Sequence, residues 1–215
     1  VSDGDVARRV AALYPGRSLR SYVRWKVTFD PVYDAAFERL RGTTEPVIDV
    51  GCGVGVFPAY LRARGFEAPV AGVDHDVRKI AIARGIGLRG AQFDVGQASA
   101  WTLRSGTIVM LDLLHYFDDA GQGSLLQRAA AAANLVIIRD AVRDGSWRYR
   151  ATYAQEAFAR AIRWLKAERL NFPRRETIVD AFAGFDAEIV PLWGRMPFNN
   201  YLFVFRRASS GMTKA

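Results

Sequence analysis

The residues able to do chemistry in this chain stand at the ends of short apolar runs. The first set is Asp49-Val50-Gly51-Cys52-Gly53-Val54-Gly55, which closes the run beginning at Val47. Glycine at alternate positions lets a backbone take positive φ and approach a ligand that a Cβ would hold away. Apolar residues at helical spacing follow from Val56 to Arg64, so the unit reads as buried strand, glycine turn and helix. The helix start adds unpaired N–H donors, and the whole reads as a nucleotide site at the carboxyl end of a first strand. Spacing restricts which nucleotide. A dinucleotide fingerprint needs its third glycine one residue later, where Val56 stands, and no Lys follows the turn as a phosphate loop requires. Asp49, two residues before the first glycine, would repel a pyrophosphate and suits a ligand carrying an ammonium group.

S-adenosylmethionine carries an ammonium and a sulfonium and no phosphate. At residues 47–55 the chain resembles the class I S-adenosylmethionine-dependent methyltransferases, whose first motif has the form apolar-apolar-Asp-apolar-Gly-x-Gly-x-Gly. The resemblance covers roughly residues 45–140 and places Asp49, Gly51, Cys52, Gly53 and Gly55 against the cofactor. The interval from Gly51 to Asp74 matches the roughly 20-residue spacing to a ribose-binding acid. Asp74 is therefore the expected ribose ligand, with two lone-pair-bearing oxygens for a vicinal diol. His75 either stacks near the adenine or is a loop histidine, and Asp76 caps the next helix. The resemblance implies that Asp94 accepts from the adenine amino group and that the Val95 backbone meets the ring; Asp94 as a turn residue is the competing reading. It also sets Asp112 and Leu113 beside the cofactor.

The segment Asp112-Leu113-Leu114-His115-Tyr116 bears on the acceptor. Nucleic-acid N-methyltransferases carry an Asn/Asp/Ser-Pro-Pro-aromatic motif at this point, and cytosine-C5 enzymes a nucleophilic Cys after Pro; neither is present. The segment resembles instead the Asp-x-Leu-His-Tyr of small-molecule methyltransferases. His115 is the candidate general base, with a pKa suited to taking a proton from a phenol or acid, or else a structural histidine fixing the loop. Tyr116 and Arg139 complete the catalytic candidates. Arg139 either binds a substrate carboxylate or pairs with Asp140 or another acid. A weaker likeness runs from Tyr22-Val23-Arg24-Trp25-Lys26, Asp30-Pro31 and Leu-His-Tyr to methyltransferases of bacterial aryl-polyene and polyketide pigment pathways. It implies an aromatic acceptor methylated at oxygen or carbon, with an acidic acyl-carrier protein as a partner for the basic surface.

The elements that must position these residues follow in order. Helices are expected over 3–13, through Ser21–Lys26 and from Asp30-Pro31, with Asp as cap and Pro in the first turn. Strands are expected at Ala68–Val73, Leu88–Phe93, Thr107–Leu111, Asn134–Ile138, Ala187–Leu192 and Tyr201–Phe205. Helices lie between them at Val77–Arg84, Leu125–Ala133 and Arg174–Phe185. Asn199 and Asn200, in the connection between the last two strands, either reach the pocket or serve the turn. The expected fold is α/β: a three-layer sandwich with a mostly parallel seven-stranded sheet, the Rossmann-like methyltransferase fold. One domain spans 1–207, with an N-terminal helical lid (1–42), a helical insertion after strand five (145–172) and a disordered tail (208–215).

Composition bounds the rest. A chain of 215 residues that is half hydrophobic supports a single core, and with no apolar run of spanning length it reads as a soluble cytoplasmic protein without a membrane span. The single cysteine excludes an internal disulfide and a multi-cysteine metal site, and no metal is expected. The net charge is +8, and lysine occurs only at 26, 79, 166 and 214, so nearly all the basic residues are arginine. Such a surface suits an anionic substrate, an acidic protein or RNA, with 145–172 as a basic-aromatic face for the last, and it equally suits an Arg-rich composition with no partner.

Overall fold

Residues 3–98, 106–161, 170–194 and 197–208 are described by the computed structural model. Seven strands form one sheet: β1 (Val47–Val50), β2 (Val70–Asp74), β3 (Ala91–Val95), β4 (Thr107–Leu111), β5 (Leu135–Ala141), β6 (Phe185–Pro191) and β7 (Asn200–Arg207). Their order across the sheet is β3-β2-β1-β4-β5-β7-β6. The first five are parallel, and β7 runs antiparallel between β5 and β6. Strand order reverses between β1 and β4, and the crevice at their carboxyl ends is where an open α/β sheet takes a ligand.

The period-two alternation of a strand divides the core. Val47, Val109 and Ile137 face one side, where they pack with α1 (Asp3–Ala12), α3 (Val32–Leu40) and α4 (Val56–Ala63). Ile48, Val50, Ile108, Met110, Val136 and Ile138 face the other, against α6 (Asp119–Ala132) and α8 (Arg175–Asp180). Remaining helices are α2 (Arg17–Phe29), α5 (Val77–Gly85) and α7 (Trp147–Ala161). The N-terminal segment is more than a cover: Val6, Val10, Tyr14, Tyr33, Ala36 and Leu40 belong to the core of the first face. Within this segment α2 presents a largely exposed surface, with Val23 its one fully buried residue.

Several boundaries differ from the sequence expectation for identifiable reasons. Asp30 closes α2 by donating its N–H to the Lys26 carbonyl, and its Oδ1 accepts from Val32, so Pro31 takes the cap position and α3 starts one residue later. Positive φ at Gly87 and Gly90 spends residues 86–90 on turns and delays β3 to Ala91. Strand β5 extends to Ala141 because β7 pairs with it down to Ala141–Asn200, so Arg139 and Asp140 lie inside the strand. Asp118 caps α6 through Gly121 N–H at 2.8 Å, so the helix begins at Asp119, six residues before the expected Leu125. Helix α8 stops at Asp180, and Gly184, at φ 86°, turns the chain into β6. Expectations for 162–169 and for the tail beyond Ala208 lie outside the described residues. No helix among the described residues is long and apolar enough to cross a membrane.

Candidate active site

The glycine turn lies between β1 and α4, with φ of 79°, 56° and 79° at Gly51, Gly53 and Gly55. Gly51 and Cys52 both donate to the Val73 carbonyl, which ties the turn to the end of β2. A Cβ at Gly51 would sit 2.8 Å from Leu113 Cδ1, the movable end of a side chain, so the φ of 79° is what holds this position to glycine. At Gly53, φ 56°, nothing lies within 4 Å of the same construction, so the turn is open there. Cys52 contributes backbone rather than sulfur. Its side chain packs with Ile80, Ala83 and Phe93, and burial, then Asp49 and Asp74, push the thiol far above its usual range.

Asp49 is 2% exposed within β1. Burial first, then the neighbouring Asp74, raise its pKa to about 7, with Lys26 pulling the other way. A carboxyl held near neutrality in this way gains most from a cationic ligand, whose charge favours the ionised form. Asp74 ends β2 and uses one lone pair on each oxygen: Oδ2 accepts from Gly53 N–H and Oδ1 from Asp76 N–H, each at 2.9 Å. The remaining lone pairs are available to a diol. Asp76 caps α5 through Arg78 and Lys79, as expected. His75 is exposed, 3.5 Å from Asp74 Oδ1. Asp94 and Val95 are exposed on the edge strand β3, where Asp94 meets Arg84 at 3.3 Å. A cavity of about 350 Å³ borders Asp94, and none of the turn residues, Asp74 or His115 lines it.

Asp112 is the one non-glycine residue with positive φ among the described residues, at 57°. Its N–H donates to the Arg139 carbonyl, and its carboxylate meets Arg139 and, at 3.7 Å, Lys26. Arg139 also pairs with Asp30 from the end of α2. Two cations and two carboxylates thus join the N-terminal helices to the carboxyl edge of β4 and β5. Burial alone would raise Asp30, but Arg139 and Lys26 together hold it below the usual carboxylate range. Of the two sequence readings of Arg139, the structure shows pairing with acids, and its partners are Asp30 and Asp112 rather than Asp140.

Asp140 points to the opposite face, as strand alternation demands, and holds His115. Its Oδ1 accepts from the imidazole Nδ1 at 2.7 Å, while Oδ2 accepts from the backbone N–H of Leu114 at 2.8 Å and of His115 at 3.4 Å. A carboxylate on Nδ1 fixes the tautomer that leaves Nε2 as the basic nitrogen. His115 is 4% exposed, stacked on Phe172 at 5.2 Å and beside Tyr116 at 4.1 Å. Tyr149 and Tyr153 of α7 meet Phe172 edge-on. The loop is pinned further by Gln122 Nε2, which donates to the carbonyls of Leu114, Phe117 and Asn171. Both readings of His115 stand: a carboxylate on Nδ1 is what a base would need, and the hydrogen bonds of Asp140 and Gln122 hold the loop as a structural histidine's would be held.

Sequence alone assigns neither Asp140 to His115 nor Asp30 and Gln122 to the site. Strand alternation was a signal for separating Arg139 from Asp140, but it needed β5 to extend past Ile138. Asn199 fastens α7 to β5 and β7: its side-chain Nδ2 donates to the Val142 carbonyl, its backbone carbonyl accepts from the Val142 N–H, and its own N–H donates to Thr152 Oγ1. Among the described residues no group of His, Cys, Asp or Glu could hold a metal ion.

The sequence family described as "Methyltransferase domain" matches residues 22–192. Among solved structures, the magnesium protoporphyrin IX methyltransferase ChlM from Synechocystis PCC 6803 with bound SAH is similar, at 16% identity and TM-score 0.66. The match covers 95% of this chain and 94% of that one. A protein described in connection with the conversion of a disulfide bond into a thioacetal group during echinomycin biosynthesis is 26% identical, TM-score 0.60, over 84% and 82% of the two chains. The mitomycin 7-O-methyltransferase MmcR is 17% identical, TM-score 0.64, over 97% of this chain and 61% of that one. No curated protein matches the sequence.

Proposed function

The chain belongs to the methyltransferase-domain family and is an S-adenosylmethionine-dependent methyltransferase, and from that premise we propose that it methylates a small aromatic acceptor at oxygen or carbon, with His115 as the base. The observation that carries this reading is the His115–Asp140 pair at 2.7 Å, set among Tyr116, Phe172 and Tyr149 at the carboxyl edge of β4 and β5. Three similar structures concern a porphyrin, mitomycin and echinomycin, all small molecules, which supports an acceptor of that class and a place in secondary metabolism.

The residues present fit the cofactor. Asp49 would hold its ammonium, the turn at Gly51, Cys52, Gly53 and Gly55 its nucleoside, and Asp74 its ribose. His75, Asp94 and Val95 would meet the adenine, and Asp112 with Leu113 would close the other side. When bound, S-adenosylmethionine supplies a methyl group already activated by its sulfonium. The chain's own contribution is alignment and proton removal. Alignment supplies most of the rate in such a displacement. His115 takes the acceptor's proton on Nε2, and Asp140 stabilises the imidazolium that results. Phe172 and Tyr116 orient a planar ring by stacking, at about 0.5–1.5 kcal/mol per aromatic pair.

The test is transfer from labelled methyl donor to a panel of hydroxylated aromatic acids, free and carrier-bound, beside the same rings lacking hydroxyl and beside transfer RNA. Label on hydroxylated rings only is the expected result. Label on RNA alone, with salt-sensitive binding, would replace this reading by one that uses the arginine-rich surface.

A further inference from the structure

Arg143 stands two residues past the end of β5, at the carboxyl edge of the sheet. Its N–H donates to the Pro173 carbonyl at 2.9 Å. Two residues earlier in that same segment, the Asn171 N–H donates to the His115 carbonyl, also at 2.9 Å. Residues 171–173 therefore bridge His115 and Arg143, with Phe172 between them and its ring stacked on His115 at 5.2 Å. The first and last Cα of three residues lie at most about 7 Å apart. Arg143 thus flanks the aromatic ring that covers the histidine.

Its guanidinium is the unusual part. The side chain is half-buried, yet no nitrogen of the group has a hydrogen bond or ion pair among the described residues. Nε is sealed from solvent, while the two terminal nitrogens are open to it. The adjacent Asp144 accepts from the Ser146 N–H at 2.9 Å and does not pair with the arginine. Other cations at this edge are already engaged. Arg139 meets Asp30 and Asp112, Lys26 meets Asp112, and Arg148 lies over the rings of Trp147 and Trp193. A desolvated donor left unpaired is a net cost to the fold, larger when the group is charged. An incoming anion would remove that cost.

We propose that Arg143 binds a carboxylate on the acceptor, which makes the substrate an aromatic acid and this residue its specificity determinant. The assignment rests on the small aromatic acceptor reading above. A guanidinium fork matches a carboxylate with two parallel N–H···O bonds. The role that sequence offered to Arg139 thus falls to the arginine four residues on, which has no acid of its own. Anchoring the acid group beside Phe172 leaves the ring's hydroxyl to be presented to His115.

Arg143→Gln removes the charge and keeps a polar side chain. Calorimetry on protein saturated with S-adenosylhomocysteine, using hydroxybenzoic and hydroxycinnamic acids beside their methyl esters, separates the outcomes. The wild type should bind an acid more tightly than its ester. The variant should weaken the acid about 10- to 100-fold, with the Kd values of the ester and of S-adenosylhomocysteine unmoved. Arg143→Lys should recover part of the loss, since it restores the charge without the fork. Equal binding of acid and ester by the wild type, an acid Kd that survives in Arg143→Gln, or an equal loss of both ligands overturns the proposal and leaves the aromatic-acceptor reading standing. Wild-type protein that binds neither acid nor ester overturns both. Should the variant not fold, the sheltered Arg143 Nε–H resonance of the wild type decides: it shifts with the acid and stays with the ester, or the proposal fails.

Discussion

Replacing Asp49 with Asn should stabilise the ligand-free protein and weaken its grip on the cofactor, in a manner that depends on pH. Burial and Asp74 raise this carboxyl from its ordinary 3.8 to about 7 in the folded chain. At about 1.4 kcal/mol per pKa unit, the ionised folded state is disfavoured by on the order of 4 kcal/mol. A raised carboxyl binds its proton more tightly folded than unfolded, so this cost is absent below pH ~4, grows between pH ~4 and ~7, and is fully present above. Asp49→Asn abolishes it. Paired urea denaturations of the two proteins should therefore coincide near pH 4 and diverge at pH 8, with the variant more stable by about 2–4 kcal/mol. The same group makes binding of a cation release a proton, so wild-type affinity for S-adenosylmethionine should rise with pH up to about 7 and then level. Calorimetry at pH 6 in two buffers of different ionisation enthalpy counts that proton. A stability difference independent of pH, with no proton released on binding, would refute the assignment of Asp49 as the cation's counter-charge.

Gly51→Ala places a methyl against Leu113 at a φ of 79°, a conformation that costs an L-residue about 1–2 kcal/mol. A lower ligand-free Tm and a weaker S-adenosylhomocysteine Kd are expected, read by thermal melts and titration. Arg139→Met leaves Lys26 as the one described cation between Asp30 and Asp112. Removing one partner from such a buried group should destabilise by about 3 kcal/mol in urea, and the double variant Arg139→Met with Asp30→Asn should recover part of that loss.

The glycine turn was legible because its nine residues are contiguous and each acts through its own backbone or charge. The Asp76 cap was legible for the same reason, since the acceptor and the N–H groups it binds lie two and three residues apart. Pairings between distant segments were not. Arg139 meets Asp30 across 109 residues, and His115 meets Asp140 across 25, through strand register that a single sequence does not display. The end of β5 was misplaced because its last residues are held as strand by β7, whose pairing is tertiary. The arginine excess also carried less functional information than its size suggests. Arg62 donates to the carbonyls of Phe66, Ala68, Arg89 and Gly90, Arg64 pairs with Asp34 and Glu38, and Arg39 pairs with Glu188. Part of the positive charge is thus architecture, closing turns and joining elements.

Single-turnover methyl transfer to a hydroxylated aromatic acid, at saturating cofactor, compares wild type with His115→Ala and Asp140→Asn. If the buried pair removes the acceptor's proton, both variants lose 10²–10⁴-fold in rate, bind S-adenosylhomocysteine as wild type does, and lose the pH dependence of the chemical step. Full-rate transfer by His115→Ala would show the histidine to be only a fixture of its loop.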